Sequence, residues 1–344
     1  MVIRMIRITA AAALTAGVFV GTADAQTKIV FNSFAPPTFV INQGMIDAWA
    51  KKVQSVTEGR VVVEIPATSL APPQQQWEMV TQGVADGTYI FNAFAQKRLL
   101  LPQVAHLPFV TPNATAQGIA LWRTYKKFFE IANEYEGVVF LGYFSAPAGH
   151  LWSMDRDKPV VTVSDLKNIK TWSLPGDQAR ALEKIGAVVV SGPAVRSYEI
   201  ISKGIVNAYG SHSYDSAYSF NVAQYATSVT EIPGGMGAAS FSVFMNKDKW
   251  NSIPKRDQDL IMSVSGEELA KYGKVWDDRE RAAREKMRQE GKVKMTLASD
   301  ALMGDLRKAW SFLEDEWVAN AESRKVDGRA ALRYLLDQIK ELAR

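Results

Sequence analysis

Residues 164–212, SDLKNIKTWSLPGDQARALEKIGAVVVSGPAVRSYEIISKGIVNAYGSH, constrain the fold more than any other stretch of the chain. Lys170 to Leu174 reads as a short strand ended by the turn pair Pro175-Gly176. Asp177 opens a helix that carries Ala179, Leu182 and Ile185 and is closed by Gly186. Val188-Val189-Val190, bounded by Ser-Gly-Pro, reads as a buried strand of parallel type. A second helix holds Tyr198, Ile201 and Ser202 and stops at Gly204, and Ile205 to Tyr209 is the next strand. Strands alternating with helices in this way specify an α/β fold.

The same unit occurs earlier. Residues 77–87, WEMVTQGVADG, match residues 198–208, YEIISKGIVNA, in order: aromatic, Glu, two apolar, two polar, Gly, apolar, small or apolar, Asp or Asn, small. A repeat spaced by about half the chain argues for two lobes built alike. The chain of 344 residues is long enough for two cores of ordinary size.

Composition removes several function classes. The net charge is only +4 and the chain has no cysteine, so disulfides, thiolate chemistry and cysteine metal sites are all unavailable. The most basic run, RERAAREKMRQ at residues 279–289, is helical in pattern and lies beside Asp277, Asp278 and Glu280. It reads as a solvated helix face, and no nucleic-acid partner is expected. At the start, Arg4 and Arg7 precede an apolar run from Ile8 to Val20, and Ala23-Asp24-Ala25 offers small residues before a cut at Gln26. Residues 1–25 therefore read as a secretory signal peptide, and an exported, periplasmic mature protein is expected.

Along the rest of the chain, strands are expected at Lys28–Asn32, Arg60–Ile65, Thr88–Phe91 and Val138–Phe144. They are expected again at His150–Met154, Val229–Ile232 and Ser240–Met245. Ser145 to Gly149 is the expected first crossing between lobes, and Pro233-Gly234-Gly235-Met236-Gly237 the return. These crossings assign residues 26–147 with 234–270 to lobe I. Lobe II and the C-terminal helices take residues 148–233 with 271–344. From Ser252 a periodic pattern through Leu260, Ile261, Val264, Leu269, Tyr272, Val275 and Trp276 predicts one helix to about Gln289. At 1.5 Å per residue it would span about 50 Å and brace both lobes. Further helices are expected around Leu302–Trp317 and Gly328–Leu342.

Catalytic constellations are missing: there is no GxSxG elbow, no HExxH and no phosphate-binding loop of the Walker type. His106, His150 and His212 are scattered, so neither a metal site nor a cofactor is expected. What remains is a set of aromatic and amide groups at strand ends, where α/β sheets bind ligands. Phe34, Tyr89, Asn92, His150, Trp152, Trp172, Tyr209, Ser211, Tyr214 and Phe241 form the expected ligand-binding set, a cleft with flat apolar walls and few polar anchors. Each of these, taken singly, is equally consistent with core packing.

Several ordered segments resemble one family. DLKNIKTWSLPG, LEKIGAVVV, GIVNAYGS and VFMNKDKWNSIPKRDQ, together with the earlier EGRVVVEIPATSLAPPQQQWEMVTQGVADG and LPFV, are similar to the periplasmic solute-binding proteins of TRAP transporters, the DctP family. The resemblance runs from about Lys28 to about Gln289. It implies a two-lobed periplasmic-binding-protein fold, strand hinges and a long bracing helix. It also implies closure over a small organic solute, delivered to TRAP membrane permease subunits, with no enzymatic activity.

The chain departs from that family where the solute is held. The family carries an Arg in the first strand of the opening stretch, as a bidentate clamp on a carboxylate; the matching run here is Lys170-Thr171-Trp172. Near a second family Arg stands His150, and the family's binding Asn falls on Ser211. Losing a fixed cation leaves a desolvated carboxylate short by several kcal/mol. A simple dicarboxylate is therefore not expected. The expected solute is ring-bearing and stacked on Trp172, or else a cation held against Trp172, Trp152 and the tyrosines. A binding protein for an ABC importer or a sensor is the alternative reading, and an exported hydrolase a more distant one.

Overall fold

The computed structural model describes residues 26–343; the expected signal peptide, residues 1–25, lies outside the described residues. The strands are β1 (Thr27–Asn32), β2 (Val61–Glu64), β3 (Gly87–Phe91), β4 (Val138–Ser145), β5 (Leu151–Ser153), β6 (Lys170–Ser173), β7 (Val188–Ser191), β8 (Ala208–Tyr209), β9 (Ser228–Glu231), β10 (Ser240–Asn246) and β11 (Lys294–Leu297). The α-helices are α1 (Asp47–Val56), α2 (Gln76–Thr81), α3 (Ala114–Thr124), α4 (Asp177–Lys184), α5 (Ser197–Ser202), α6 (Tyr214–Ser219), α7 (Lys247–Asn251), α8 (Lys255–Ser263), α9 (Glu267–Lys271), α10 (Gly273–Glu290), α11 (Asp300–Ser323) and α12 (Gly328–Leu342).

Two sheets form two lobes. The first has the order β2-β1-β3-β10-β4 and the second β7-β6-β8-β5-β9-β11. Their first five strands correspond in order and direction. In each, a parallel trio (β2-β1-β3, β7-β6-β8) meets antiparallel neighbours contributed after a crossing (β10, β5). The repeated sequence unit makes the same helix–turn–strand in both lobes: α2 into β3, and α5 into β8. Gly83 and Gly204 end the two helices with φ of +72° and +64°, a backbone that glycine adopts without a Cβ penalty.

Two chain segments join the lobes side by side, between β4 and β5 and between β9 and β10. Ala146 N–H donates to Ala239 O (2.8 Å) and Met236 N–H to Gly149 O (3.0 Å). The contact is close enough that a Cβ on Gly235 would stand 2.1 Å from the Ala148 Cβ. Such paired extended crossings can bend while keeping their hydrogen bonds, which suits a hinge.

The long helix expected after Ser252 is broken. Its pattern is divided among α8, α9 and α10; between α8 and α9, Gly266 takes φ +60° and donates its N–H to Leu141 O of β4 at 2.6 Å. A tertiary hydrogen bond to the sheet replaces the intrahelical one at that point. The bracing role falls to α10, which packs on α3 of the first lobe and α6 of the second, and to α11, which reaches α4 and the turn at 101–106. α12 packs on α3. The expected buried strand at Val188 is parallel to β6 but lies at the sheet edge, with Val188 48% exposed.

Candidate functional site

An apolar space lies between the two sheets, beside the paired crossings. The first lobe supplies Phe34 beyond β1, Phe39, Phe91 and Phe94 around the end of β3, and Phe241 of β10. The second supplies Leu174 after β6, the Pro193–Val195 turn before α5, Ser211 and His212 after β8, and Ser216 and Phe220 of the α6 region. Trp276 of α10 completes the wall. The ring-to-ring contacts are continuous: Phe39 meets Phe220 at 4.8 Å and Trp276 edge-on at 5.4 Å, and Phe241 lies 6.4 Å from Trp276. No Asp, Glu, Lys or Arg lines this space among the described residues.

Of the sequence-derived set, Phe34, Ser211 and Phe241 line the cavity. The others stand behind its lining. Tyr89 is fully buried, bonded to Ser33 Oγ at 2.8 Å, and backs both Phe34 (4.7 Å) and Phe241 (5.9 Å). Burial pushes its phenol well above the ordinary range. Asn92 is spent on Ser240 and Ser242, donating to one and accepting from the other at 2.8 and 2.5 Å. Tyr214 donates to Glu231 at 2.6 Å.

His150, Trp152, Trp172 and Tyr209 converge on one residue, His212. The His212 carbonyl accepts from Trp152 Nε1 (2.9 Å) and from the His150 N–H (3.1 Å). Its ring lies face to face on Trp172, with centroids 4.5 Å apart and planes 11° from parallel, and meets Tyr209 edge-on at 5.9 Å. Trp152 in turn stacks on Tyr209 at 5.4 Å. Trp172 is thus the platform beneath a cavity-lining imidazole. The turn that presents His212 is unusual: Ser211 is left-handed at φ +70°, a conformation that costs a non-glycine residue on the order of 1 kcal/mol. Its hydroxyl is held by Ser173 Oγ at 2.8 Å and by the Leu174 N–H at 3.2 Å.

Sequence reasoning missed His212 as a site residue, although it directly follows Ser211 at the end of a parallel strand. Extending the strand-end rule by one position finds it. Phe39, Phe91, Phe94, Phe220 and Trp276 were also missed, since an apolar residue lining a cavity and one filling a core carry the same periodic signal. Burial lowers the His212 imidazole to about 3, with no charge acting on it. His212 Nε2 and Trp276 Nε1 have no hydrogen-bond partner, and both residues are 2% exposed.

Two lobes joined by paired crossings leave an apolar space between them, an architecture suited to holding a solute. Residues 31–317 match the bacterial extracellular solute-binding proteins of family 7, the DctP family. The chain belongs to that family. Its members bind solutes and are not enzymes. A relative from Comamonas testosteroni, described as the outer membrane transporter protein TsaT, is 36% identical over 323 residues, covering 94% of this chain and 95% of its own length. Among solved structures, a TRAP periplasmic solute-binding protein of Bordetella bronchiseptica with bound (R)- and (S)-mandelate is 30% identical, with a TM-score of 0.87 over 92% of this chain and 99% of that one. A marine metagenome TRAP solute-binding protein specific for aromatic acid ligands, in complex with 3-hydroxybenzoate, is 25% identical, with a TM-score of 0.82 over 92% of this chain and 99% of that one. Among the described residues, no helix is long and apolar enough to cross a membrane.

Proposed function

We propose that this chain is the periplasmic receptor of a TRAP-type transporter and that its solute carries an aromatic ring, most simply a small aromatic monocarboxylic acid. On this reading the protein is exported by the signal peptide at residues 1–25. The lobes then close over the solute, and the closed form docks on the membrane permease. The observation that carries the reading is the wall itself. Phe34, Phe39, Phe91, Phe94, Phe220, Phe241 and Trp276 line the cavity, and among the described residues no fixed charge lines it to take either end of a dicarboxylate. Each ring face buried against such a wall gains about 0.5–1.5 kcal/mol beyond its area. The lack of a lining Asp or Glu favours a ring-bearing solute over a cation. The aromatic acids bound by the Bordetella and marine relatives support the same class.

Within this proposal Phe34, Ser211 and Phe241 touch the solute. Tyr89, Asn92, His150, Trp152, Trp172, Tyr209 and Tyr214 set the shape and rigidity of the wall. A thermal-shift screen of aromatic monocarboxylates against C4-dicarboxylates tests it. The aromatic acids should give the larger stabilisation; a larger shift with succinate or fumarate would overturn the assignment.

A further inference from the structure

A cavity that takes an organic acid needs something to meet the acid's negative charge, and among the described residues no lysine or arginine lines it. An unpaired carboxylate moved out of water costs several kcal/mol, so a bare apolar wall would reject the anion. The lining does hold ring nitrogens without partners on two elements: His212 Nε2, beyond β8, and Trp276 Nε1, on α10. An indole N–H can only donate, and an imidazole becomes a double donor and a cation when it gains a proton. Buried polar groups in native proteins are almost always satisfied, and His212 Nε2 and Trp276 Nε1, together with Trp172 Nε1 beneath His212, are among those here that are not.

Building on the aromatic-acid reading above, we infer that His212 is the anion anchor of this site: it takes up a proton as the acid binds, and with the Trp276 indole N–H it replaces the guanidinium clamp of the family. Trp172 has a role in this arrangement. Its ring lies flat against His212 at 4.5 Å, and the π face that stacks on a neutral imidazole attracts an imidazolium more strongly. The Arg-to-Trp departure therefore moves the positive charge from residue 172 to the neighbouring ring, where it exists only with an anion present.

The groups around His212 are consistent with this. Tyr209 and Trp172 face it from the sheet, Phe220 from the end of α6, and His150 reaches its carbonyl through the backbone. The nearby charged groups each have a partner, although Asp215 Oδ2 is left without one. Asp215 pairs with Arg279, Glu280 accepts the Tyr214 and Asp215 N–H groups, and Glu231 pairs with Arg284. None of them acts on the imidazole, which burial alone holds neutral. An incoming anion beside the ring would favour its charged form. The proton comes from solvent and goes to an imidazole nitrogen; no covalent bond to the solute is made or broken.

The experiment is isothermal titration of the mature protein with mandelate and 3-hydroxybenzoate, and with the neutral amides of both. It is run at about pH 6 and about pH 8, in buffers of different ionisation enthalpy that report proton uptake. The acids should bind with net proton uptake at about pH 6, and their affinity should fall between about pH 6 and about pH 8. The amides should bind without uptake. His212→Gln, which keeps a hydrogen-bonding side chain but cannot be charged, should abolish the uptake and weaken the acids much more than the amides. Its thermal unfolding midpoint shows that it is folded. Acids that bind with no proton uptake, or uptake that persists in His212→Gln, would overturn the inference and leave the aromatic receptor standing. Binding of the amides alone would do the same. If neither series binds, the aromatic reading fails, and the anchor with it.

Discussion

Glu280 ties the bracing helix to one wall of the cavity, and the tie is sensitive to pH. Its two carboxyl oxygens accept the N–H groups of Tyr214 (2.9 Å) and Asp215 (2.8 Å), the first residues of α6. The same α6 region carries Ser216 and Phe220 to the cavity, while α10 carries Trp276. Burial, with Asp215 adding to it, lifts Glu280 from an ordinary 4.5 to about 7, and its two backbone hydrogen bonds only partly offset that rise. A carboxyl whose pKa is higher in the folded chain binds its proton more tightly there. The resulting stability is complete below about pH 4.5 and is lost as pH rises through about 7. At 1.36 kcal/mol per pH unit, the interval corresponds to roughly 3 kcal/mol. Glu280→Gln imitates the protonated form in charge and keeps one acceptor oxygen. Urea unfolding followed by tryptophan fluorescence at about pH 5 and about pH 8 should show the wild type losing roughly 2–3 kcal/mol more than the variant across that range. Glu134, also raised to about 7, and the buried histidines contribute equally to both proteins and cancel in the difference. Equal pH slopes in the two proteins would refute this reading of Glu280.

Other substitutions probe the wall and the hinge. Trp172→Ala removes a fully buried indole from under His212 and should cost about 3–5 kcal/mol in denaturant unfolding, and also abolish the thermal shift given by the solute. Phe220→Ala deletes the ring that bridges Phe39 and His212; titration should show affinity for an aromatic acid reduced by roughly 10- to 100-fold, corresponding to about 1.5–3 kcal/mol of lost burial. Gly235→Ala places a Cβ where φ is +74° and Ala148 is already 2.1 Å away, so the melting temperature should fall and the paired crossings should be forced apart. An unchanged melting curve would mean that this hinge contact is looser than it stands here.

Much of the fold was legible because its signals are local. The helix–glycine–strand unit around Trp77 and Tyr198 depends on apolar spacing and a left-handed glycine, and both copies form, although the second strand is Ala208–Tyr209 and not the expected Ile205–Tyr209. What was not legible depends on contacts far apart in sequence. The pattern from Ser252 to Gln289 is helical throughout and one internal glycine costs only about 1 kcal/mol, so nothing local announces that Gly266 will turn to β4. Val188-Val189-Val190 looks buried because β-branched runs usually are, yet its place at a sheet edge follows from strand order alone. β11 was not anticipated, since Lys294–Leu297 is too short to stand out between two helices. At the site, strand ends located Phe34 and Ser211 near the cavity. They could not separate the aromatic residues that face a solute from those, such as Tyr89 and Trp152, that support the ones that do.

Native mass spectrometry of the protein purified from its own periplasm identifies the solute it carries. A single bound molecule containing one aromatic ring is the expected result. An aliphatic dicarboxylate or a sugar acid released from the same sample would show that the aromatic wall does not select the ligand.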